Sequence, residues 1–378
     1  MKFLNKKLSI SVLISIWLSL PNIYLFFFEE NLFVQQAIFM FLIVIYFINF
    51  GLKIKKIDKE SIYVIVLLIF CMLFSLIFNI DNIVIVAFIF NFILMVYFIS
   101  SHVKYDSYAF FDGFKFYSIA NVFLLYSIYF LFGLQESSRS IIEGVHPNLF
   151  GLVCLTIALC SILMNRIKYT FLFMILSLYI SYIVSSRATM MCIMVAFLMY
   201  LYVNLKNRIL LKINIFFISS LLGIIYFDSI YAYFRQVFML DDEYRGVGTG
   251  MSGRTERWEI AFDIIGENPI FGVGFKMAEP TLGFTIDNGY LAVLLEMGMF
   301  GMVAFIIILS LPIYFSIKTV FFGKNHNKES IFVAISIIVV LIYMYFEQRY
   351  INFGNPLTII FFFAIFYSYS SLFNRNKK

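Results

Sequence analysis

Three groups of residues have types and spacings suited to chemistry on anions and hydroxyls. Arg187 follows Ser185 and Ser186 in a short turn between two apolar runs, and Arg254 and Arg257 stand three residues apart. Residues three apart share one helical face. Near a helix start they join free backbone N–H groups and the positive end of the helix dipole, an arrangement that favours phosphate. Arginine presents a rigid fork of donors that matches phosphate geometry, so Arg187, Arg254 and Arg257 are the candidate clamp for a diphosphate. The blander readings are an interfacial anchor for Arg187, since Arg snorkels at span ends, and a solvated face paired with Glu256 or Glu259 for the other two.

The second group is Asp287-Asn288-Gly289-Tyr290-Leu291, where a long polar stretch re-enters an apolar run. A carboxylate and an amide there accept a proton from a hydroxyl or orient it, with Asp287 as base and Asn288 and Tyr290 as positioning groups. Asp287 as a plain N-cap is the structural alternative. Glu296 lies nine residues further on inside the apolar run, where an ionisable group is functional by default, although Gly298 and Gly301 also suit close helix packing. The third group is His146-Pro147-Asn148. His146 titrates in the useful range and is the second candidate base, with Asn148 as a positioning residue, while Pro and Asn are also ordinary helix-start signals. Asp241-Asp242-Glu243 suits a divalent ion but reads better as solvated acids, and we expect no metal site. Gly272-Val273-Gly274 lacks the third glycine of a dinucleotide fingerprint, and no Walker loop or nucleophile elbow occurs.

The elements that position these groups must lie in a bilayer. Of the 378 residues, 62% are hydrophobic, 20% aromatic and 13% charged, and the mean hydropathy is +0.93. Soluble domains carry about 25% charged residues, so a water-covered particle, a disordered chain and a nucleic-acid binder are excluded. Cys71, Cys154, Cys160 and Cys192 sit in apolar runs and read as core hydrophobes. A span needs about 20 apolar residues. Breaks at charges and turns give twelve candidates, near 8–28, 32–50, 61–78, 83–100, 113–133, 148–164, 168–186, 188–204, 209–227, 287–315, 330–346 and 355–373. The expected fold is an all-α polytopic membrane protein, a single domain over residues 1–378. With the N-terminus cytoplasmic, 20 of the 28 Lys and Arg fall on inner segments, so both termini are expected inside. Inner segments hold 17 Lys and 3 Arg, outer ones 7 Arg and 1 Lys, which makes the outward arginines candidates for ligand contact. One extracytoplasmic loop is long, residues 228–286. Within it Trp258, Ala261, Phe262 and Ile265 keep helical spacing, with Ser252 as cap, which predicts a short amphipathic helix along the membrane interface.

The order Ser186-Arg187, Gly253-Arg254, Trp258, Asn268-Pro269-Ile270, Gly272-Val273-Gly274, Asp287-Asn288-Gly289-Tyr290-Leu291, Gly298 and Gly301 resembles the O-antigen ligase and polymerase superfamily over about residues 140–305. The resemblance implies a metal-independent glycosyltransferase of the bacterial inner membrane that draws a glycan from undecaprenyl diphosphate on the outer face. It also implies lipid-linked oligosaccharide donor and acceptor, no cofactor, and a flippase and chain-length regulator as partners. Arg187 and Arg254 match the superfamily's diphosphate-contacting arginines. The ligase signature places a histidine before the asparagine at 288, where this chain has Asp287, and its Arg-x-x-x-Leu element ends here in Met191. Both departures, with His146, point to a polymerase of an O-antigen, capsule or exopolysaccharide repeat unit. A ligase is the close alternative. A transporter of lipid-linked sugars is the alternative of another class, disfavoured because the spans look nearly bare of polar residues.

Overall fold

A computed structural model describes residues 2–27, 59–76, 83–133, 146–205, 250–323, 327–348 and 355–374, with a few isolated positions between them. Two of the twelve expected spans, 32–50 and 209–227, lie outside the described residues, as do Arg139 and Asp241–Glu243. Among the described residues every regular element is helical: α1 Lys2–Phe27, α2 Lys59–Leu76, α3 Ile83–Phe132, α4 Pro147–Ser161, α5 Ile167–Ile183, α6 Arg187–Asn204, α7 Gly250–Glu267, α8 Ala278–Leu282, α9 Gly289–Ile317, α10 Lys328–Met344 and α11 Pro356–Asn374, with a π turn Lys318–Phe322 continuing α9. Among the described residues five stretches are long and apolar enough to cross a membrane: Ile85–Val103, Asp106–Phe132, Arg187–Asn204, Gly289–Phe322 and Pro356–Phe373. This is a multi-pass membrane protein.

The expected spans 83–100 and 113–133 are two helical arms, Ile85–Val103 and Asp106–Phe132, that meet at a sharp kink. Helix runs without a gap along α3, but Asp106 leaves helical geometry at φ −156° and ψ 55°. Phe98 and Phe110 touch at 6.0 Å across that point, whereas twelve residues of straight helix extend about 18 Å. The chain therefore reverses at Asp106 without the expected connecting loop. The second arm runs parallel to α1, with Gly113 against Ile14 and Asn22 Nδ2 donating to both Tyr117 Oη and Asn121 Oδ1 at 2.8 Å. Asn121 in turn donates to Ser19 Oγ. This buried Asn–Tyr–Asn network corrects the expectation of nearly bare spans. Its groups satisfy one another, which is what polar side chains between membrane helices require.

Helix α4 occupies the centre. All of its residues from Leu149 to Ser161 are buried, and an apolar helix covered on every side is a core helix. Fifteen residues extend only about 22 Å, so α4 crosses less than the roughly 30 Å hydrocarbon layer and is flanked by protein instead of lipid. Helices α3, α5 and α6 pack closely on it, and α10 and α11 also touch it; all four cysteines are buried. Helices α4, α6, α9 and α11 all start at one end of the bundle, the end at which α10 finishes. At the opposite end Lys328 Nζ donates to the Met164 and Asn165 carbonyls at 2.6 and 2.7 Å, covering the C-terminus of α4.

Candidate functional site

The chain between α7 and α9 is held by a break in α9. At Gly298, with φ 62° and ψ −166°, the helix opens. The segment after α7 fills the gap: Val273 N donates to Leu295 O at 2.8 Å, Gly274 N to Glu296 O at 3.0 Å, Met299 N to Pro269 O at 2.9 Å and Phe300 N to Ile270 O at 3.1 Å. Backbone groups freed at membrane depth are tolerated only when protein satisfies them in this way. The contact is too close for side chains. A Cβ on Gly298 would stand 2.3 Å from the Ile270 carbonyl group, and one on Gly272 2.3 Å from Leu295 O. These glycines are architectural, and the inserted segment anchors α7 over the start of α9. The Glu296 carboxylate is fully buried there and accepts backbone N–H bonds from Lys276 and Ala278. Glu296 thus ties the inserted segment to α9.

Helix α7 starts at Gly250, two residues before the expected Ser252 cap. Its Ala261 and Ile265 are buried, and with Trp258 they pack on Ile286, Leu291 and Leu295. The expected apolar stripe is thus real, but Phe262 lies at its edge and is 56% exposed. This packing sets Arg254 and Arg257 opposite the start of α9. Arg254 Nε lies 3.3 Å from Asp287 Oδ2, and Arg257 Nη1 lies 4.0 Å from the same oxygen. Arg257 also stands 5.5 Å over the Phe284 ring. Asp287 is not the cap of α9: Asn288 takes that place, its Oδ1 accepting from Tyr290 N and Leu291 N at 3.0 and 3.1 Å. The carboxylate of Asp287 is therefore left to the guanidinium pair.

A second patch forms at the start of α4. The His146 ring accepts from Asn148 N at 3.2 Å, so this histidine serves as the cap of α4. Asn148 Nδ2 donates to Glu347 Oε1 at 2.6 Å. Arg187 opens α6 beside it, after Ser185 at φ 53°. Gly151 lets that turn approach, since a Cβ there would meet Ser186 Oγ and Thr189 Oγ1. The end of α10 joins the two patches. Tyr290 Oη donates to Leu341 O at 2.7 Å, the Tyr345 ring meets Trp258 edge to face at 5.9 Å, and Glu347 receives Asn148. Sequence reasoning passed over Glu347 and Tyr345. Their only signal was an acid in an aromatic-rich turn, and the partner of Glu347 lies 199 residues away.

Guanidinium groups, helix starts and a carboxylate at one end of a membrane bundle suit an anionic, hydroxyl-bearing lipid head. The O-Antigen ligase family model matches residues 171–306. The resemblance to the O-antigen ligase and polymerase superfamily holds. That stretch contains Arg187, Arg254, Arg257, Asp287, Asn288, Tyr290 and Glu296, together with the inserted segment and the Gly298 break, while His146, Asn148 and Glu347 fall outside it. An uncharacterized protein of Haemophilus influenzae is 31% identical over 136 residues, covering 31% of this chain and 32% of that protein. The chain thus spans about a third of the length of this curated relative. The match and the apolar helices make this chain similar to O-antigen ligases over residues 171–306, within a multi-pass membrane protein.

Proposed function

We propose that the protein is a metal-independent polysaccharide polymerase that moves a growing glycan from undecaprenyl diphosphate to the next lipid-linked repeat unit. Its site faces the outside of the cytoplasmic membrane, both termini are cytoplasmic, and the complete bundle has twelve spans. The observation that carries this reading is the Asp287 carboxylate held by Arg254 and Arg257 at the start of α9. The acceptor hydroxyl oxygen attacks the anomeric carbon of the donor, its proton passes to Asp287, and the bond from that carbon to the phosphate oxygen breaks. Asp287 is the first choice of base and His146 the second. Undecaprenyl diphosphate leaves with its new charge on Arg254, Arg257 and Arg187, a stabilisation of charge that develops in the transition state. Asn288, Tyr290 and Asn148 shape the site around the sugars, and Glu296 acts on it from within the bundle through the inserted segment that it holds. Direct attack inverts the anomeric carbon. A flippase and a chain-length regulator are the expected partners.

The family description favours a second reading, a ligase that moves a finished glycan to a terminal acceptor. Purified protein given lipid-linked repeat units separates these. A ladder of products supports the polymerase, and a single transfer that needs lipid A core supports the ligase. Repeat units crossing vesicles without lengthening would establish a transporter instead, and a trapped glycosyl-enzyme would overturn direct attack.

A further inference from the structure

We propose that Asn148 and the Tyr345 ring form the subsite for the acceptor repeat unit, with Glu347 as the positioning residue that fixes the Asn148 amide. This rests on the glycan-transfer reading above. Glu347 is 5% exposed, and its bond to Asn148 Nδ2, at 2.6 Å, is short and charge-assisted. An amide has one donor end and one acceptor end. With Nδ2 committed to Glu347 and the main-chain N–H to the His146 ring, the Oδ1 of Asn148 is turned away from Glu347, ready to accept a sugar hydroxyl. Asn148 is half-buried at the bundle end while His146 beside it is exposed, so the amide lies at the surface of the site. Two residues before Glu347, the ring of Tyr345 is 42% exposed. It meets Trp258, whose indole N–H is buried with no acceptor among the described residues. Rings of this type give an apolar face with a polar handle, which suits the alternating C–H and hydroxyl surface of a sugar. Trp258 neighbours Arg257 on α7. One ring contact and one hydrogen bond, joined along the chain, link the guanidinium pair to the amide: Arg257 precedes Trp258, Trp258 meets Tyr345, and Tyr345 lies two residues before Glu347, which holds Asn148.

Two probes test this: the oligosaccharide released by mild acid from the cell's own lipid-linked repeat units, and undecaprenyl diphosphate without sugar. Asn148→Ala, Glu347→Ala and Tyr345→Leu should each weaken oligosaccharide binding about tenfold, the loss of one well-made hydrogen bond or ring contact. Binding of undecaprenyl diphosphate should stay unchanged. Glu347→Gln should regain most of the loss, because its amide oxygen still accepts from Asn148. In the Asn148→Ala background, Glu347→Ala should cost nothing more. With saturating pre-lengthened donor, the same variants should raise KM for single repeat units and keep kcat within about twofold. The proposal is overturned if wild-type protein binds no oligosaccharide, if both probes weaken alike, if the two losses add, or if kcat falls at unchanged KM. Failure of undecaprenyl diphosphate to bind wild-type protein would sink the proposed function and leave the glycan subsite standing.

Discussion

Replacing Asp287 with Asn should tighten the binding of undecaprenyl diphosphate and slow glycan transfer. The carboxylate shares its Oδ2 between Arg254 at 3.3 Å and Arg257 at 4.0 Å. At an effective dielectric of about 20, the closer pair attracts by about 5 kcal/mol before desolvation and side-chain entropy are subtracted. The side chains are 20%, 44% and 28% exposed for Arg254, Arg257 and Asp287, and pairs of this exposure retain about 1 kcal/mol net. An incoming diphosphate must displace that carboxylate, so neutralising it should improve binding about fivefold. The gain should shrink above about 0.1 M salt, where the screening length falls below about 10 Å. Transfer should fall by about 10²- to 10⁴-fold, the range for losing a general base. Asn is isosteric, and the cap of α9 is Asn288, so the helix start is retained. Isothermal titration with the carrier and a ladder assay at fixed repeat unit measure the two effects. If Asp287→Asn binds the carrier more weakly, Asp287 is structural; if it transfers at the wild-type rate, the proton goes elsewhere.

Arg187→Lys and Arg254→Lys should each lower transfer about tenfold or more, because a lysine cannot bond phosphate through two parallel donors, whereas Arg139→Lys should stay near wild type; equal loss at all three refutes the clamp. Gly298→Ala and Gly272→Ala should destabilise the protein by well over the roughly 1–2 kcal/mol of left-handed strain alone, since the new Cβ meets backbone at 2.3 Å. Gly283→Ala is the control, with φ +75° and open space around it, and thermal unfolding in detergent should rank it far milder. Asn22→Leu and Asn121→Leu should each cost about 0.5–2 kcal/mol, and the double variant less than their sum, because the two amides bond each other; additive losses would show that they act independently.

Local signals were the legible ones. Composition and apolar run length gave an all-helical membrane fold, and ten of the twelve expected segments carry helix among the described residues. The spacing of Trp258, Ala261 and Ile265 located α7, and residue chemistry picked out Arg254, Arg257 and Asp287 before their contact was visible. The illegible features all depend on pairings distant in sequence or on single-residue geometry. The reversal at Asp106 comes from one residue's dihedrals inside an otherwise helical pattern. The role of Asn288 in place of Asp287 as cap turns on a single register step. Glu347 became visible only when α4 and α10 were placed side by side.

The glycines of the matched stretch also change how its motif residues divide. In sequence Gly298 and Gly301 suit close helix packing, and Gly272 belongs to a Gly-Val-Gly run that lacks the third glycine of a dinucleotide fingerprint. In the structure Gly272 and Gly298 allow backbone to enter a broken helix, and Glu296 secures the inserted segment from beneath. Without that insertion α7 would have no fixed height over α9, and Arg254 would not reach Asp287. A guanidinium misplaced by about 1 Å loses much of its value to a reacting phosphate. Substitutions at Glu296 or Gly298 should therefore act through the position of Arg254, lowering affinity for undecaprenyl diphosphate and transfer together, whereas Asp287→Asn moves them in opposite directions. That contrast separates residues that hold the site from those that carry its chemistry.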